Sequence, residues 1–313
     1  MKQIPTIIFK KTISLIIVMV CAFSFFTKAQ VTIIGAGSYG TISAAVTAAI
    51  PGDIVEVSPG TYNETVTINK SIHLRGQPGQ VLITIIKAPS TLPLPATQNS
   101  NIVTVTGAGI SAEINDLTIA GPGPSNCGSI SYGIFVRNGA YANIHDNKIS
   151  DVRDNPFGGC QNGVAIQIGR MAWGTTGTAT IANNIITGYQ KNGITVDNAG
   201  SSATILGNTI TGAGTTAIIA QNGIQISRGA TGSLTGNTVS GNSYHLVGNS
   251  FDWGSTGILL YQSGNVSLNG GNNLTGNDQN YYAYDPTGVL TLGAELFGVS
   301  SAPAGFGNQI VDY

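Results

Sequence analysis

Short apolar strings alternate with polar residues along most of this chain and return at a steady interval. YGIFV, NGVAI, NGITV, NGIQI and TGILL are built on Gly133, Gly163, Gly193, Gly223 and Gly257; the first four glycines are 30 residues apart and the fifth follows after 34. Between them a second string recurs: IHDNKIS at 144–150, IANNIIT at 181–187, ILGNTIT at 205–211 and LTGNTVS at 234–240. An imperfect copy, LNGGNNLT, ends at Thr275. Short β-branched strings punctuated by Asn and Gly predict strands and turns, not helices. A strand of this length cannot bury an apolar face alone, so the repeat predicts stacked units. Several strands per repeat, with no helical pattern between them, give an all-β parallel β-helix whose coils lie about 4.8 Å apart. At ~24–30 residues per coil the chain makes about nine to eleven of them.

Alternation then assigns faces. Ile134, Val164, Ile194, Ile224 and Ile258 form one inward row, and Val136, Ile166, Val196, Ile226 and Leu260 the next. Asn162, Asn192 and Asn222 share the inward parity and are expected to stack as amides at a corner of the coil. The outward face carries Phe135 and Arg137, then Ala165 and Gln167, then Lys191, Thr195 and Asp197, then Gln225 and Ser227, then Leu259 and Tyr261. Three insertions bracket it: 151–160; 169–177, with Arg170, Met171 and Trp173; and 241–254, with Tyr244, His245, Asp252 and Trp253. Amides along a floor and aromatics at its rim predict a groove for a linear sugar chain, which needs flat apolar contact and many hydrogen bonds.

Charged residues are only 9% of the chain. The apolar residues are frequent and regularly placed, so this composition points to a β structure solvated by hydroxyls and amides, not to disorder. Lys2, Lys10 and Lys11 precede an apolar run at 13–26, and Thr27-Lys28-Ala29 offers small residues for cleavage. This pattern predicts a secretory signal peptide, 1–29, and a secreted, periplasmic or cell-surface protein. Four of the 13 Lys and Arg leave with it, so nine face 14 Asp and Glu, a balance of −5. No basic run remains to hold nucleic acid. Cys127 and Cys160 are expected to form a disulfide in an oxidising compartment. A glycan partner and a monomer are the further expectations.

GNTVSGN and NGIQISRGATG resemble the right-handed parallel β-helix repeats of the pectin-lyase-like superfamily, over roughly 31–285. The resemblance implies one right-handed β-helix domain over 30–313: a capping coil at about 30–80, repeat coils at about 100–285 and an irregular C-terminal end. TISAAVTAAI, at 41–50, is the one good short helix and would cap the open lumen. GTYNETV is similar to a string of the pectin methylesterases, but the aspartate, arginine and glutamine motifs of that family have no counterpart here, nor have those of polygalacturonases. Glu56 and Glu64, despite lying close together, are therefore read as belonging to the cap.

The superfamily contains lyases, hydrolases, esterases, epimerases and non-enzymatic adhesins, so the fold leaves the activity open. Family lyases imply Ca²⁺ held by carboxylates and an Arg or Lys as base. The candidates here are Asp151, Asp154 and Asp197 for the cation and Lys191, Arg153 or Arg228 for the base. Glycoside hydrolysis would instead pair Asp154 with Asp197 or Asp252. Arg137, Gln167, Gln225, Trp173, Trp253 and Tyr261 are the candidate substrate contacts. The bland readings stand beside these: 151–154 as a loop ion pair, Lys191 and Asp197 as solvated positions, both tryptophans as loop packing. A non-catalytic surface or adhesion module is the competing function, and an accessory protein of the NosD type a third.

Overall fold

The computed structural model describes residues 30–92, 100–125, 127–250, 252–302 and the backbone of 309–311; the expected signal peptide lies outside them. The strands fall into three sheets of 11, nine and nine. From Ile54–Val57 onward the neighbour of a strand in each sheet is the third one along the chain. Tyr132–Arg137, for example, pairs in parallel with Asn101–Thr106 on one side and Val164–Ile168 on the other. A chain that returns to the same sheet at every third strand winds as a parallel β-helix.

At the amino-terminal end Val31–Ile33 runs antiparallel to both Gly37–Tyr39 and Ile54–Val57. The helix Ile42–Ala48 then crosses the lumen and buries Ile42, Ala45 and Val46. Both of its ends are satisfied by side chains. Thr41 Oγ1 accepts from Ala44 N, and the Glu64 carboxylate accepts from Ile42 N and Ser43 N at 2.9 Å each. Lys70 Nζ donates to the last carbonyls, Thr47 at 2.6 Å and Ala49 at 2.8 Å. These charges complement the helix dipole. Glu64 is thus a cap ligand, and Glu56 pairs with Arg75 at 2.8 Å, so the two glutamates of the opening coil belong to the scaffold.

The lumen is filled by Ile, Val, Leu and Ala from all three sheets. One polar column runs through it. Asn147, Asn184, Asn208, Asn237 and Asn272 come from the second repeated string. Each Oδ1 after the first accepts from the backbone and side-chain nitrogens of the asparagine one coil earlier, at 2.8–3.1 Å. Leu117 N donates into its start, and Glu295 closes its end by accepting from Asn272 N and Gly270 N. Every amide is satisfied, which a buried network requires.

The expected stack of Asn162, Asn192 and Asn222 differs from this in two ways. Gly193 and Gly223 themselves face the lumen: a Cβ would lie 2.6 Å from Ile210 Cγ2 in the first and 2.1 Å from Val239 Cγ1 in the second. Glycine and the isoleucine after it therefore both turn inward, a local bulge that sends the preceding asparagine outward. Asn222 Nδ2 still bonds to Asn192 Oδ1, but Asn192 Nδ2 reaches the outward Thr195 and Gln225. Gly163 is also out of line. Tyr132 pairs with Val164 and Ile134 with Ile166, which places Ala165 at the level of the other glycines, facing inward. Val164 is consequently an outward residue, and Asn162 joins a different network.

Candidate functional site

The outer face of the sheet that carries these glycine strings divides into two halves. Over the amino-terminal half a loop folds back onto the sheet. Gly169 and Gly174, at φ of 62° and 60°, make the turns into the left-handed region that the loop needs. Between them the short 3₁₀ turn Met171–Trp173 lays Trp173 against Tyr132 and Phe135, 5.7 Å from each ring. With Val164 these residues form an apolar cluster outside the lumen. Burial pushes the Tyr132 hydroxyl up to about 12. Gln167 is fully buried beneath the loop and donates to Gly169 O. Trp173 therefore packs its loop, and neither it nor Gln167 is open to a substrate as expected.

Asp197 holds that loop in place. It is 1% exposed, and it accepts from Met171 N at 2.9 Å, Ser227 Oγ at 2.8 Å and Arg228 Nη1 at 3.0 Å, with Arg170 at 4.0 Å. Asp154 anchors the neighbouring loop in the same way. Gly128 N, Ser129 N and Oγ, Asn162 Nδ2 and Gln190 Nε2 all donate to it at 2.9–3.1 Å. Burial alone would raise its pKa, but the hydrogen bonds from Gln190, Asn162, Ser129 and Gly128 outweigh it and hold the carboxyl below the usual range. The disulfide Cys127–Cys160 fastens the same loops. Arg153 pairs with Asp151 at 3.2 Å.

The expected catalytic set is thus spread over four places, with Lys191 by itself against Ala220 O. Asp154 is consumed by its donors, Asp197 and Arg228 by each other, and Arg153 by Asp151. Asp151, Asp154 and Asp197 do not converge, and among the described residues no group of three His, Cys, Asp or Glu could hold a metal ion. They do not fit a Ca²⁺ site. Arg137 stacks over Phe135 at 5.4 Å, and burial lowers its pKa. Gln225 is held between Asn192 and Ser227. Trp253 stacks on His245 at 4.3 Å, and His245 pairs with Asp252 at 3.0 Å.

The carboxy-terminal half of the same face is open. A groove of about 730 Å³ runs over the strands Asn222–Ser227, Thr256–Tyr261 and Gln279–Tyr284. Its floor is Asn222, Thr256, Leu259, Gln279, Tyr261, Tyr282 and Tyr284, in the columns that the register fixes. One wall is 218–220. The other belongs to the 241–254 insertion, with Tyr244, Asn249, Ser250 and Asp252. Buried Asp278 clamps that insertion by accepting from Tyr244 N at 2.8 Å and Ser255 N at 3.1 Å.

A family model described as a right-handed beta helix region matches residues 95–244. The chain is a right-handed parallel β-helix. Among solved structures it is similar to a pectin methylesterase from carrot, at 14% identity over 90% of this chain and 86% of that one, with a TM-score of 0.49. The pectate lyase Pel9A shares 15% identity over 85% and 73%, at a TM-score of 0.47. An alginate lyase from Paenibacillus shares 12% over 86% and 96%, at 0.43. No curated protein matches it in sequence.

Two aromatics give the groove of this β-helix its character. Tyr261 and Tyr284 stack with ring centroids 5.3 Å apart and planes 6° from parallel, and Arg228 lies 5.6 Å over Tyr261. At the amino-terminal end of the groove Lys191 donates to Ala220 O at 2.7 Å. Burial lowers it to about 8, and it forms no salt bridge among the described residues. Of the residues named from sequence, Lys191, Asn222, Tyr244, Asp252, Leu259 and Tyr261 line the groove. Tyr282, Tyr284 and Gln279 were missed. Their string, QNYYAY, does alternate, but it lacks the glycine that marked the earlier coils.

Proposed function

We propose that this β-helix binds a linear glycan in the tyrosine-lined groove. The observation that carries the reading is the pairing of aromatic faces with amides on one rigid floor. Tyr261, Tyr282 and Tyr284 offer flat apolar contact, while Gln279, Asn249, Ser250 and Asp252 offer donors and acceptors for hydroxyls. The columns repeat at the ~4.8 Å spacing of coils, so a chain laid along the axis crosses one row of these side chains per coil. Secretion through the N-terminal signal would bring the groove to extracellular glycans. The test is calorimetric titration with a panel of neutral and acidic linear hexasaccharides. At least one is bound by the native protein, and the Tyr261→Ala/Tyr284→Ala variant weakens it by about tenfold or more. Absence of binding across the panel, or binding indifferent to both tyrosines, overturns the reading.

A second reading, β-elimination on a uronide with Lys191 as base, is favoured by one feature. Its lowered pKa of about 8 makes a neutral amine accessible in mildly alkaline solution. Ultraviolet absorbance of unsaturated products would rise with pH through about 8 and vanish in Lys191→Gln. The binding reading stands without it and also suits a non-catalytic surface module.

A further inference from the structure

We infer that the groove receives the end of a glycan chain, not an internal stretch, because it is blind at its Lys191 end. The inference rests on the glycan reading above. Followed toward the amino terminus, each column of the floor runs under protein. Leu259 and Tyr282 continue into Gln225, Thr195, Gln167 and Phe135, where Gln167 donates to Gly169 O beneath the loop and Phe135 packs against Trp173. Tyr261 and Tyr284 continue into Ser227 and Asp197, both essentially buried. Thr256 and Asn222 continue into Asn192, Val164 and Tyr132, of which Val164 and Tyr132 lie against Trp173. The loop that carries Trp173 thus takes the place where the next sugars would lie.

The end is also walled from the side. Lys191 Nζ is bonded to Ala220 O, which ties the 218–220 wall to the floor. The disulfide-tethered loop meets that same wall: a Cβ on Gly159 would stand 3.2 Å from Ile218 O. Gln161 of this loop and Lys191 are the groove residues furthest toward the covered half. A chain that enters between 218–220 and the 241–254 insertion must stop against them. Lys191 is the one cation among the lining residues, and it would donate to ring or anomeric oxygens of the terminal sugar, or to a charged group there.

Either terminus has the required chemistry, and blocking distinguishes them. The tightest-binding hexasaccharide of the panel would be prepared four ways: free, reduced to the alditol, bulky-substituted at the non-reducing end, and blocked at both ends. Titration of the full chain is expected to show binding of the free form and a loss of about tenfold or more for the doubly blocked form. The single blocks assign the terminus. Equal affinity for the free and doubly blocked forms overturns chain-end recognition and leaves the glycan reading intact. Failure of every form of every hexasaccharide overturns the glycan reading, and this inference with it. A second variant removes dependence on the blocking groups. Trp173→Gly with Met171→Gly strips the cover from the adjacent columns, and it is expected to recover binding of the doubly blocked chain; unchanged rejection in a variant that retains native circular dichroism counts against the blind end.

Discussion

The two halves of one sheet face have the same backbone and opposite uses. Both carry an outward row of aromatics, Tyr132 and Phe135 in one and Tyr261, Tyr282 and Tyr284 in the other. In the amino-terminal half the protein supplies its own partner, Trp173, and the face becomes a second small core. In the carboxy-terminal half the insertion stands aside as a wall, and the aromatics face solvent across a groove. The difference lies in where each loop is anchored. Asp197 pulls Met171 down onto the strands, whereas Asp278 clamps both ends of the later insertion and leaves its middle raised. Three buried aspartates, Asp154, Asp197 and Asp278, fix three loops. In a chain so poor in charge, these carboxylates do structural duty.

The largest expected effect is at Asp154. Asp154→Ala removes the acceptor of five hydrogen bonds and should cost about 3 kcal/mol or more, read as a drop in the urea midpoint. Because the folded pKa is depressed, the Asp154 contribution is complete above about pH 4 and fades as the pH falls through the folded value. An Asp154→Ala protein with native stability would show that the covered half is not anchored this way. Next is Asp197→Ala, which releases Met171 and unpairs Arg228. It should raise acrylamide access to Trp173 and cost about 2 kcal/mol, while Tyr284→Ala, in the open half, loses only its stacking on Tyr261, about 1 kcal/mol. Equal losses from both would erase the distinction between the halves.

A smaller effect is expected from the disulfide. Reduction should speed proteolysis within 156–162 while leaving the 241–254 insertion as resistant as before. Equal acceleration at both sites would mean that the loops are not anchored independently. The smallest is at His145, outside both halves. Burial disfavours its charge, but hydrogen bonds and charge from Asp146 and Glu113 prevail and raise its pKa. Its contribution is therefore full below about pH 6.5 and is lost as the pH rises through the raised value. His145→Gln should flatten the stability profile there by a few tenths of a kcal/mol, without touching groove or loop. A profile unchanged by the substitution would assign that pH dependence elsewhere.

The β-helix was legible because its information is repeated. One apolar string per coil suffices to stack the coils, and each error is outvoted by its neighbours. The site was not, because it depends on single residues. The 30-residue spacing from Gly133 to Gly163 to Gly193 is two unequal coils that compensate: Ala165, not Gly163, stands at the glycine level. That slip turned Val164 outward and hid the outer cluster beneath Trp173. Strand alternation also marks Asp154 and Asp197 only as polar positions; it carries no trace of the backbone amides that enclose them. Lys191 was read on the outer face, yet its hydrogen-bond partner, Ala220 O, comes from 218–220, a segment that no local pattern joins to it.

The chain has two tryptophans, and one belongs to each half. Single-tryptophan proteins, Trp173→Phe and Trp253→Phe, allow acrylamide quenching to be read separately in the plug and in the 241–254 insertion that walls the groove. With the tightest-binding hexasaccharide at saturation, quenching of Trp253 should fall and that of Trp173 should not change. Protection of Trp173 with no effect on Trp253 would contradict the assignment of the open half as the binding site.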